Sequence, residues 1–202
     1  MNDLKILHDR IYLNDGIKDP KQFIDIYEES KSLIESAVHP AANADYDAVM
    51  RITSDYALSL SHYGSSRKSI LYLDKAIQMF KNCSWKDLTK LSMYEMLVWT
   101  RGFENYNQKE YSLATQDFQY LADTYRDNDK YKKWLLASRT VKVKKYLNFF
   151  WYGAFTCLVL GAMVNKEDIK LRGYLLIGTI ALIGLAIATE IIKIFIKSKL
   201  EK

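Results

Sequence analysis

The sequence predicts an all-α protein: a water-facing domain of antiparallel helical hairpins, then a two-helix transmembrane hairpin. Three observations carry that expectation. Helix breakers are scarce, with 8 glycines and 2 prolines in 202 residues. Apolar residues recur at three- and four-residue spacing through residues 1–145, and no strand-period run competes with them. Two long runs poor in charge close the chain. Hydrophobic residues are 49% of the whole, so the ordinary average conceals a polar front and an apolar back.

The closing runs are "YLNFFWYGAFTCLVLGAMV", residues 146–164, and residues 173–192, where Glu190 is the single charge. At about 1.5 Å of rise per residue, either run can cross a hydrocarbon core of about 30 Å. The loop "NKEDIKLR" between them permits only a tight hairpin. Arg139, Lys142, Lys144 and Lys145 precede the first span, and Lys193, Lys197, Lys199 and Lys202 follow or close the second. In the loop, Lys166, Lys170 and Arg172 are diluted by Glu167 and Asp168. By the bias of basic residues toward the cytoplasm, both termini are expected there, with an inner (plasma) membrane location. Tyr146, Trp151, Tyr152 and Tyr174 stand near the expected interfaces. Gly153, Cys157 and Gly161 recur at four-residue spacing, as do Gly184 and Ala188. Such small faces let helices approach closely, within one hairpin or between protomers.

Residues 1–145 divide into helices by their turn signals. Asp19-Pro20-Lys21-Gln22 reads as an N-cap, a first-turn proline and a capping partner. It opens a helix with Phe23, Ile26, Tyr27, Ser30, Ile34 and Ala37 on one face, ended by Pro40. Further helices are expected at 44–63, 67–82 and about 84–106, the last opened by a capping box in "SWKD". A fifth runs to about Tyr125. A sixth starts near Asp129 and runs on toward the first span. The domain boundary is placed at 145/146.

Two of these hairpins resemble tetratricopeptide repeats across residues 50–125. In "YALSLSHYGSSRKSILYLDKAIQMF", Ala57, Gly64, Ser69, Leu73 and Ala76 take the repeat's small, turn, small, large and small places. In "RGFENYNQKEYSLATQDFQYL", Gly102, Ala114 and Phe118 do the same. The spacing departs from that family: Ala57 and Gly102 are 45 residues apart, where the family has about 34. The aromatic-Leu-Gly opening is incomplete and the closing proline is missing. The resemblance implies a helical surface that binds a protein partner, and no chemistry.

Catalytic patterns are not found. His8, His39 and His62 have no metal-ligand spacing, and Cys83 and Cys157 form no disulfide framework. Arg51 precedes His62 by eleven positions, too far for the Arg-x4–6-His motif of small helical nucleases. No phosphate loop or nucleophile elbow appears. The expectation is no catalytic residue, no metal, no cofactor and no enzyme. Eight basic residues lie between Arg126 and Lys145, opposed by Asp127 and Asp129. Arg139, Lys142, Lys144 and Lys145 are therefore candidates for contact with lipid headgroups, with nucleic acid as the alternative.

Glu190 lies one turn from Lys193, so it either pairs there and reaches water or lines the mouth of a pore. Thr179 and Thr189 are the accompanying pore-lining candidates. The layout, a small helical domain joined to two spans, is similar to two-span membrane effectors and accessory proteins of bacterial antiviral (CRISPR-type) defence. That resemblance implies a homo-oligomer whose hairpins form a pore after assembly or partner sensing by the helical domain. The alternative is a membrane-anchored adaptor that holds a protein client at the bilayer. The sequence reading leans to the pore, and leaves open whether residues 1–18 fill the groove of the repeats.

Overall fold

A computed structural model describes residues 3–13, 19–37, 44–83, 88, 91–164 and 168–200. Among the described residues the chain is all-α, with no strand. It divides into two compact units, Met1–Asn128 and Asp129–Lys202.

The first unit contains α1 (Asp3–Tyr12), α2 (Pro20–Glu29), α3 (Lys31–Ser36), α4 (Ala44–His62), α5 (Ser66–Asn82), α6 (Ser92–Asn107) and α7 (Tyr111–Thr124). Asp19 caps α2 by accepting from the Lys21 N–H at 3.1 Å, with Pro20 in the first turn. The single helix expected over 20–37 is broken at Ser30, where ψ opens to 8° and two helices abut. Pro40 and His39 lie outside the described residues. So does the "SWKD" capping box. The helix expected from it begins later, at Ser92, because Leu91 is extended (φ −97°, ψ 107°).

α4 and α5 form an antiparallel hairpin. The Tyr46 hydroxyl donates to the Met79 carbonyl at one end, and Ser69 Oγ donates to the Ala57 carbonyl nearer the turn. The turn itself is a Schellman motif, with Ser65 N bonded to Leu60 O, Gly64 N to Ser61 O, and Gly64 at φ +86°. α6 and α7 repeat this turn. Glu110 N bonds to Asn105 O, Lys109 N to Tyr106 O, and Lys109 takes the left-handed backbone at φ 67°. Ala57 and Gly102, Gly64 and Lys109, Ser69 and Ala114, Leu73 and Phe118 are pairs 45 positions apart. The two hairpins are one design used twice.

The contacts between hairpins repeat as well. α5 packs on α6, as α2 packs on α4. α4 packs on α6, as α1 packs on α4. α1 with α2–α3 thus stands as a first, shorter hairpin, and α1 covers a face of α4. At the first junction Tyr27 and Tyr56 stack at 3.6 Å and Tyr72 meets both edge-on. At the second, Arg101 holds Asp117 through two nitrogens (3.0 and 2.5 Å) and Asp74 through a third (2.7 Å). Tyr56 and Tyr72 occupy the positions of Arg101 and Asp117 one hairpin earlier.

The second unit is α8 (Asp129–Met163) and α9 (Ile169–Leu200). α8 runs without a break through the 145/146 boundary. Both helices are long and apolar enough to cross a membrane, over Val143–Met163 and Ile169–Ser198.

Candidate functional site: the membrane hairpin

α8 and α9 pack side by side and antiparallel. A Cβ added at Gly153 would lie 3.2 Å from Leu182, one at Gly161 3.7 Å from Leu175, and one at Gly178 3.9 Å from Cys157 Sγ. The face Gly153–Cys157–Gly161, picked out by its spacing, is therefore the seam of the hairpin. Small residues there let a leucine of α9 sit against bare backbone.

The complementary face of α9 differs from the one its spacing points to. Gly178, Thr179 and Ala186 lie toward the seam, and Thr179 and Ala186 are buried. Gly184 has nothing within 4 Å of an added Cβ, and Ala188 is exposed. In the single chain these two face outward. The signal for the seam was Gly178 and Ala186, two turns apart and harder to see than a four-residue step.

The polar candidates are bonded within the hairpin. Thr179 Oγ1 donates to the Leu175 carbonyl at 2.9 Å, and Thr189 Oγ1 to the Ala186 carbonyl at 2.7 Å. Thr156 bonds back to Tyr152 in the same way. Glu190 pairs with Lys193, with Nζ 3.2 and 3.4 Å from its two oxygens. Of the two alternatives for Glu190, the one-turn pair is what the single chain forms.

Most of the outside of the hairpin is apolar; Thr156 is exposed and the Glu190–Lys193 pair is part-exposed. Phe149, Phe155, Ile177, Ile180 and Ile187 are all more than half exposed, which suits hydrocarbon and not water. Tyr146, Tyr152 and Tyr174 are exposed as well. Because the helices are antiparallel, Lys144 and Lys145 of α8 and Lys193 and Lys197 of α9 share one end. Arg139, Lys144 and Lys145 are exposed on α8. Lys142 belongs to the same helix, and its side chain lies outside the described residues. No group of three or more metal-ligating side chains occurs among the described residues.

No protein-family model, curated protein or solved structure matches the chain.

Proposed function

We propose that this chain is a non-enzymatic, membrane-anchored adaptor. Its hairpin array holds a protein client at the cytoplasmic face of an inner (plasma) membrane, and α8–α9 fasten it there. One observation carries this reading: the exterior of the hairpin is mostly apolar, and Thr179, Thr189 and the part-exposed Glu190 are bonded within their own helix. A selective lumen is built from rings of charged side chains, carbonyls and narrow constrictions, and an anchor needs none of these. The basic residues gathered at one end of the hairpin support both termini being cytoplasmic.

The array supports a tetratricopeptide-like reading of the first unit. Ala57, Ser69, Leu73, Ala76, Ala114 and Phe118 are fully buried, at the positions where such repeats place their crossing residues. Gly102 lies against Phe118 at the second crossing.

The outward placement of Gly184 and Ala188 favours a second reading, the homo-oligomeric pore-type effector, with antiviral defence as its setting. The two readings part in one experiment. The full-length protein is reconstituted in nanodiscs for mass measurement and in vesicles for ion flux. A monomer or dimer with tight vesicles supports the adaptor. A defined ring of several subunits, with flux lost in Glu190→Gln, overturns it in favour of the pore.

A further inference from the structure

The first and second junctions of the array are built alike but filled differently. At the second, Phe103 lies beside Trp99 and Glu104 accepts from Ser61 across to α4. The same positions at the first junction hold the smaller Leu58 and Ser59. There the structure has a cavity of about 380 Å³, between the end of α1, the start of α2 and the second half of α4. Its walls include the rings of Tyr12 and Phe23, the carboxylates of Asp19 and Asp55, and His62.

These walls have the chemistry of a cation site. Tyr12 already carries a guanidinium, with Arg51 Cζ 4.1 Å from its ring centroid. The Tyr12 hydroxyl donates to Asp55 Oδ2 at 2.5 Å, and Asp19 Oδ1 accepts from Lys21 N. Each carboxylate thus spends one oxygen on the fold. Among the described residues, neither remaining oxygen has a hydrogen-bond donor. Among the described residues, the two carboxylates of the lining stand against the Arg51 guanidinium on the Tyr12 ring and the His62 imidazole. A volume near 400 Å³ is at the small end of ligand pockets and admits one long side chain.

We infer that this cavity receives a basic side chain, arginine above all, from a peptide segment of the client. The inference rests on the adaptor reading and adds the chemistry of the partner. A planar guanidinium stacks on a ring and pairs with a carboxylate at once, which an ammonium does less well.

The test uses the full chain in zwitterionic nanodiscs and ligand-observed NMR. The probes are acetyl-Gly-Arg-Gly-amide, the same peptide with norleucine in place of arginine, and agmatine. Saturable binding of the arginine peptide is expected, with the norleucine peptide silent and agmatine weaker. Asp55→Asn should weaken binding about tenfold, the scale of one charge-assisted hydrogen bond. Leu58→Phe, which imports the filling of the second junction and leaves the charges alone, should weaken it as much. Equal binding of the arginine and norleucine peptides overturns the inference. Agmatine binding as tightly as the peptide overturns the peptide as occupant. Arginine-peptide binding that neither substitution weakens also overturns it, while the mass and ion-flux measurements still decide the adaptor reading.

Discussion

Lys109 holds the place that Gly64 holds one hairpin earlier, in the same left-handed backbone. Glycine enters that region freely, whereas a residue with a Cβ is strained by about 1–2 kcal/mol. Glycine's larger loss of freedom on folding returns part of that difference. Lys109→Gly is therefore expected to stabilise the protein by about 0.5–1 kcal/mol, read as a higher urea midpoint for loss of helix. An unchanged or lower midpoint would show that the turn is set by something other than this residue. Gly102 has the opposite requirement. A Cβ there would lie 2.9 Å from Phe118 Cε1 and 3.0 Å from Asp117 Cβ. Gly102→Ala should lose about 1–3 kcal/mol to overpacking, more than the roughly 1 kcal/mol gained in helix propensity. Gly184→Ala, with open space around it, serves as the comparison and should lose nothing.

Arg101 ties three helices, α5, α6 and α7, through Asp74 and Asp117. The Asp117 side chain is only 6% exposed, and burial pushes its pKa up against the pull of Arg101. Arg101→Leu would leave that buried carboxylate without its ion pair and with Asn105 as its remaining partner, at a cost of about 3 kcal/mol read in the urea midpoint. Arg101→Tyr combined with Asp117→Tyr writes the first junction's Tyr56 and Tyr72 into the second. The double variant should be more stable than either single one, and a double-mutant cycle showing no coupling would refute the equivalence of the junctions.

Glu28 bridges α2 to α4 and α5 at the first junction, accepting from Tyr56 and Lys68. Burial alone would raise its pKa, but the hydrogen bonds from Lys68 and Tyr56 outweigh burial and hold it below the usual value. A depressed folded-state pKa gives stability that is present above the unfolded pKa. That stability is lost as pH falls through the lower folded one. Acid should therefore unlatch this junction, and Glu28→Gln should show a shallower fall in melting temperature on acidification. An identical acid limb in wild type and variant would count against the bridge.

Across the whole molecule, what could be read from the sequence depended on punctuation. Gly64 and its serines marked a turn, so α4 and α5 were expected almost to the residue. Ser30 carries no such mark. It continues the apolar face of its helix, and only its backbone reveals the break. The start of α6 was missed because the capping signal at residues 84–87 is attractive locally, while Leu91 downstream is extended. The Glu190–Lys193 pair was visible as a one-turn spacing. The tie of Arg101 to Asp74 and Asp117 was not, because it joins residues 27 and 16 positions apart. The division into a polar front and apolar back also predicts behaviour. A chain ending at Lys145 should stay soluble without detergent, and the full chain should float with lipid vesicles. Full-length protein left in the aqueous fraction would remove the membrane from the account.

α9 outlasts its charge-poor run. At about 1.5 Å per residue, residues 146–164 and 173–192 cover about 28 and 30 Å, close to an ordinary bilayer's hydrocarbon, whereas α9 continues to Leu200. On the anchored reading that last stretch, where Lys193 and Lys197 stand among Ile194 and Phe195, meets the headgroups, its long basic side chains reaching toward water while the apolar ones dip inward. A thicker membrane is expected to draw more of that end under cover than a thin one.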